Sequence, residues 1–212
     1  MLKYIKAFAI GCFIIPILTV TVSYLISIHL DLVPKCIPFF EGCTSISRTG
    51  RYEPVKYYFK FFMFVYVLFL FFYWNCLISY IQNENKILLY TLSFFSLIFL
   101  ILYLIFLGEG KTYEFFRRIG IYIYILFIIF TQYFVSRRII KNKDFLKDKF
   151  DFKFVKLKNL LSLFLVIFGF LLLPVLVIKI DEYPNIKNII SWNYFFLVQL
   201  YFLISYFSLK VR

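Results

Sequence analysis

Six apolar runs, longer than a water-soluble domain of this size could bury, constrain this chain more than any other feature. They cover about Ala7–His29, Tyr57–Tyr80, Ile87–Leu107, Ile119–Val135, Leu160–Ile180 and Ile189–Leu209. Five reach about twenty residues, the length a helix needs to cross roughly 30 Å of hydrocarbon at 1.5 Å per residue. The fourth is slightly short and needs interfacial Tyr and Arg to complete it. Hydrocarbon offers the backbone no water, so each run must satisfy its own hydrogen bonds as a helix. The sequence therefore predicts an all-α polytopic membrane protein, a single bundle of six transmembrane helices. With 63% hydrophobic residues in 212, the connections are short, and residues 1–212 form one domain.

A net charge of +13 would point to nucleic acid in a soluble protein. Here Lys and Arg flank the spans and set their orientation, so no nucleic-acid partner is expected. Fourteen of the 24 basic residues fall on the side of the termini and of the second and fourth loops, nine of them between Arg137 and Lys158. Both termini are then cytoplasmic. This fixes the side but does not distinguish plasma membrane from endomembrane. Lys3 and Lys6 precede an apolar run too long for a signal peptide and without a small-x-small cleavage site, so the first span reads as an anchor.

Pro16 interrupts the first span and Gly169 and Pro174 the fifth, and such positions bend helices. Asn75, Gln132, Asn193 and Gln199 are the main polar residues inside the spans, and bonding between helices is their simplest role. The Arg137–Lys158 loop carries an excess of positive charge that suits an anionic phospholipid. Its segment Lys149–Phe154 alternates charged and aromatic residues, which predicts a strand or an extended interfacial segment. Cys36 and Cys43 sit among the turn residues of the first loop, where oxidation is possible, and a disulfide there would staple a loop that has little core. Cys12 and Cys76 lie in spans as apolar fillers.

No Asp or Glu lies mid-span, which argues against a proton-coupled carrier. One histidine, His29, is too few for most intramembrane zinc hydrolases, and no metal or cofactor site is predicted. There is no G-x-S-x-G elbow, no H-E-x-x-H and no phosphate-binding glycine loop. The mixed acid and base residues collect on the other side. They are His29 and Asp31 at the end of the first span, Arg48, Arg51 and Glu53 in the first loop, and Arg117 and Arg118 in the third. Guanidinium forks grip phosphate with paired bonds, so this set predicts a site for a lipid headgroup.

The stretch Ile46-Ser47-Arg48-Thr49-Gly50-Arg51-Tyr52-Glu53-Pro54 resembles the I-S-x-x-G-x-Y-x-P signature in the first outer loop of one membrane-protein family. That is the damage-regulated autophagy modulator (DRAM)/Frag/Sfk family, which includes GPI-anchor lipid-remodelling relatives. The preceding Asp31–Pro34 and Cys36–Pro38 are similar to its proline-rich entry to that loop. Two later positions differ: Arg117 stands three residues before Gly120 where the family often has His, and Ser191 precedes Trp192 where it often has Glu. The resemblance implies a multi-pass protein of lipid organisation or GPI-lipid remodelling, with membrane lipids and a membrane-protein partner as binding classes. Non-enzymatic lipid binding is the first reading. A membrane-embedded acyl- or headgroup transferase with an outer-face site is the alternative, and a channel or carrier the weaker one.

Overall fold

A computed structural model describes residues 1–81, 86–110, 112–177 and 184–210, with 172–177 and 184 as backbone only. Six long helices account for most of it: α1 (Leu2–His29), α4 (Val55–Tyr80), α5 (Lys86–Phe106), α6 (Glu114–Lys141), α8 (Phe152–Val177) and α9 (Pro184–Ser208). Each is long and apolar enough to cross a membrane. The chain is thus an all-helical, multi-pass membrane protein. Among the described residues, three single-turn helices lie in the connections: α2 (Pro38–Glu41), α3 (Ile46–Thr49) and α7 (Lys143–Leu146).

The long helices pack as a closed ring in the order α1, α4, α5, α6, α8, α9, and α9 returns to α1. Burial on α4 follows the helical period through Phe59, Met63, Tyr66, Leu70, Tyr73 and Leu77. The other face of α4, with Phe61, Leu68 and Phe72, is just as apolar and points outward. Side chains fill the middle of the ring. Tyr66 Oη lies 3.1 Å from Tyr124 Oη and donates to Gln199 Oε1 at 3.3 Å, while Gln132 Nε2 donates to the Val198 carbonyl at 3.1 Å. These bonds tie α4, α6 and α9 across the ring, each contributing about 0.6 kcal/mol. Asn75 instead bonds within its own helix, to the Phe71 carbonyl.

Two expectations need correction, while the fourth span is completed by flanking residues as expected: α6 has 28 residues and carries Arg117, Arg118, Arg137 and Arg138 inside the helix. Arginine is a good helix former, and its long stem lets the helix run on past the apolar stretch. The Lys149–Phe154 segment is not a strand, since α8 already begins at Phe152. The Asp151 carboxylate accepts from the Lys153 amide at 2.9 Å and starts that helix. Only Phe150 makes an isolated bridge, to Leu209, which clasps the C-terminal end against the α7–α8 connection. Finally, Lys158 is not a loop residue; it is fully buried inside α8. Lys6 lies over the Tyr206 ring at 4.6 Å, so the N-terminal and C-terminal helices meet at one end of the bundle. The first loop closes the other.

Candidate functional site

The first loop is fastened over its end of the bundle by side chains reaching up from α1 and α9. Tyr24 Oη donates to the Cys36 carbonyl at 2.6 Å, and Ser27 Oγ to that of Thr49 at 2.7 Å. From α9, Asn188 reaches the carbonyl of Gly42, Asn193 that of Phe39, and the Trp192 indole that of Thr44. Cys36 and Cys43 are joined in a disulfide with Cα atoms 6.4 Å apart. The loop is therefore an ordered lid, and it delivers α3 and Arg51 to the ends of α5 and α6.

Two arginines from different elements meet beneath it. Arg117, in the first turn of α6, is only 7% exposed. Its guanidinium donates to Glu114 Oε1 at 3.2 Å, an oxygen that also accepts from Arg118 at 2.8 Å. The charge of Arg51, on the lid, acts directly on Arg117, Glu114 and Tyr103. Arg51 Nε is buried and has no hydrogen-bond partner. Beside them the Tyr103 hydroxyl from α5 lies 3.3 Å from Ser47 Oγ of α3. Two guanidiniums thus share one carboxylate with the charge of a third nearby, and like charges held together in a partly dry site are costly.

A second cluster braces this one. Glu109 accepts from Lys60 at 2.7 Å and pairs with Lys56 at 3.4 Å. Lys60 and Lys56, in that order, hold the Glu109 carboxyl below its ordinary range. Lys60 also caps the Ile105 carbonyl at the end of α5. Gly108 is needed here: at φ +81° any Cβ would sit 2.8 Å from the Arg51 carbonyl.

The remaining candidate residues are placed differently. Glu53 pairs with Lys56 at 3.7 Å and accepts from Tyr57, and no described contact links it to Arg51 or Arg117. Arg48 is exposed and in no ion pair among the described residues. His29 and Asp31 are exposed at the end of α1, and no described contact links them to Arg51 or Arg117. Tyr103 and Ser47 were missed as site residues. Ser47 falls inside the I-S-x-x-G segment, but one tyrosine among 18 carries no signal of its own.

Next to Arg117, Phe106 stacks on Tyr113 and Phe116 at 5.2 and 5.3 Å, and Phe115 and Phe116 are exposed. An aromatic wall therefore adjoins the charged cluster. A groove of about 280 Å³ between α4 and α5, lined by Phe71, Asn75, Tyr90, Thr91 and Ser93, lies toward the other end of the bundle. At that end Arg137, Lys141, Lys143 and Lys147 are exposed, and Lys149 lies over the rings of Tyr80 and Phe145. No group of His, Cys, Asp or Glu among the described residues could hold a metal ion. Comparison with family models, with curated proteins and with solved structures finds no match to this chain.

Proposed function

We propose that this protein binds and organises membrane lipids, holding an anionic headgroup between Arg51 and Arg117 under the first-loop lid. The observation that carries the reading is the pairing of these two arginines with an excess of guanidinium charge over carboxylate. A lipid phosphate supplies the missing negative charge and can accept paired bonds from both forks. The acyl chains then lie along the exposed Phe115–Phe116 wall of the bundle rather than in an internal cavity. Arg51 and Ser47 belong to the segment that resembles the DRAM/Frag/Sfk signature, which supports a place for the protein among lipid-organising membrane proteins. Positive charge on the Arg137–Lys158 side supports cytoplasmic termini, an outward-facing lid and contact with anionic phospholipid on the inner leaflet.

Native mass spectrometry from nanodiscs of phosphatidylcholine and phosphatidylglycerol tests the site. Because Arg117 is buried, the variants are Arg51→Ala and Arg117→Lys, the second keeping the charge but losing the fork. Each lost charge-assisted bond is worth about 1.5–3 kcal/mol, so retention of phosphatidylglycerol should fall roughly tenfold or more. Unchanged retention in the double variant would refute the reading. Turnover of a lipid by the purified protein would replace it with the transferase alternative.

A further inference from the structure

On the lipid-facing side of the bundle, α4 and α5 part to leave the groove of about 280 Å³. It extends from Tyr90 to Leu97, about 10 Å along α5. Tyr90 stands at its mouth, toward the end of the bundle that carries the termini, with its hydroxyl 2.7 Å from that of Ser79. Thr91 follows just inside, and Asn75 lies about one turn deeper than Ser79. Beyond them the lining turns aromatic, with Phe71, Trp74 and Phe94. Phe71, Thr91 and Phe94 are exposed, so the groove opens toward lipid. No Lys, Arg, Asp or Glu lines it.

The polar atoms at the mouth have bonding capacity to spare. Asn75 donates an amide hydrogen to the Phe71 carbonyl at 3.0 Å, and the Thr91 hydroxyl donates to that of Ile87 at 2.9 Å. The lone pairs of Asn75 Oδ1 and Thr91 Oγ1 then receive no donor among the described residues. Ser79 and Tyr90 carry two hydroxyl hydrogens but share one bond, which leaves one O–H without an acceptor among the described residues. Facing hydrocarbon, such groups gain from any partner that can meet them. The matching group both donates and accepts and carries no charge, which describes a hydroxyl. A phosphate only accepts, and it would find no cation in the groove.

We infer that this groove binds a sterol, with its hydroxyl among Asn75, Thr91 and Tyr90 and its fused rings laid on Phe71, Trp74 and Phe94. A flat, rigid body loses little conformational freedom on binding, whereas the two chains of a diacylglycerol would have to be ordered along the same aromatic wall. One face of the sterol stays in lipid, so an open groove suffices. Lys86, Tyr90 and Leu92 also fit, in reverse order, the short Leu/Val-x-Tyr-x-Lys/Arg pattern proposed for cholesterol contact. That pattern is weak by itself, but its tyrosine is the one at the mouth of the groove. The site takes an uncharged lipid and lies at the opposite end from the arginine cluster.

The test is photolabelling of the full chain in phosphatidylcholine nanodiscs with a clickable, diazirine-bearing sterol, followed by peptide mapping. Saturable labelling should concentrate on α4 and α5 at the groove. Unlabelled sterol should displace the probe, and its methyl ether, which cannot donate, should do so roughly fivefold less well. Asn75→Leu and Thr91→Val should each weaken labelling by a similar factor. Both side chains bond within their own helices, so the variants keep the packing of α4 on α5. Phosphatidylglycerol retention should stay at the wild-type level in both, which separates this groove from the arginine site. Labelling spread evenly over the lipid-facing residues overturns the inference. So does displacement by the methyl ether or by diacylglycerol as effective as that by sterol, and so does unchanged labelling in the double variant.

Discussion

Replacing Gly120 by alanine should destabilise the bundle, although alanine is the better helix former. A Cβ at this position would lie 2.8 Å from the backbone nitrogen of Tyr103 and 3.0 Å from its Cα. Ordinary contacts start near 3.4 Å, so α5 and α6 must separate by about 0.6 Å at their crossing. Neither atom belongs to a side chain that can swing aside. Alanine gains about 1 kcal/mol of helix propensity, while overpacking of this kind costs about 1–3 kcal/mol. A net loss of up to about 2 kcal/mol follows, or up to about 8 °C in Tm for a chain of this size. Gly11→Ala is the internal comparison, since its added carbon would meet the Phe69 ring, a half-buried side chain free to rotate toward lipid. That variant should be neutral or slightly stabilised. Thermal unfolding of both in one detergent, at one scan rate, gives the comparison. The separation also moves Tyr103 away from Ser47, so Gly120→Ala should lose anionic lipid alongside stability. A Gly120→Ala protein as stable as Gly11→Ala would refute the close-contact reasoning.

Three further outcomes are expected. Unreduced, unfolded protein should take up alkylating reagent at Cys12 and Cys76 only, and reduction should cost about 2–3 kcal/mol of stability, as expected for so short a loop; labelling of all four cysteines without reductant would exclude the bond. Glu109 has a lowered pKa when folded, so its contribution is present above the ordinary carboxyl pKa and is lost as pH falls through the depressed value. The Tm gap between wild type and Glu109→Gln should therefore close below about pH 4, and a gap that persists in acid would contradict the ion pairs with Lys60 and Lys56. Trp192→Phe leaves the Thr44 carbonyl unpaired at a cost of about 1–3 kcal/mol, and amide exchange in residues 36–49 should quicken while that of α4 does not.

The six helices were legible because length and hydropathy alone decide whether a segment can cross a bilayer. Their inward faces were not. In water the buried face of a helix is the apolar one, but Phe61 and Phe72 on the lipid side of α4 are as apolar as Tyr73 and Leu77 inside. The same ambiguity hid the charged residues. Arg117 reads as a residue of the third loop and Lys158 as one more cation in a basic loop, yet both lie inside helices on faces that pack against their neighbours and are buried. The period of two at Lys149–Phe154 misled for another reason. Its acidic member, Asp151, is a helix cap, and a cap overrides the pattern of the residues around it. The convergence of Arg51 with Arg117 rests on how the lid folds, and nothing local to either residue encodes that.

From α1 and α9, five of the bonds that fasten the lid end on main-chain oxygens, those of Cys36, Phe39, Gly42, Thr44 and Thr49, and the Cys36 amide donates back to Tyr24 Oη. All twenty residue types carry that oxygen, so the attachment recognises the position of each peptide along the chain and ignores what the residue is. Outward-facing residues such as Lys35 and Phe40 can therefore be exchanged, labelled or recoded without loosening the cover. Removing a single residue between 36 and 49 is another matter, because it slides the later oxygens out of register with Asn188, Trp192 and Ser27 together. Variation at this end of the molecule should be generous in letters and strict in spacing.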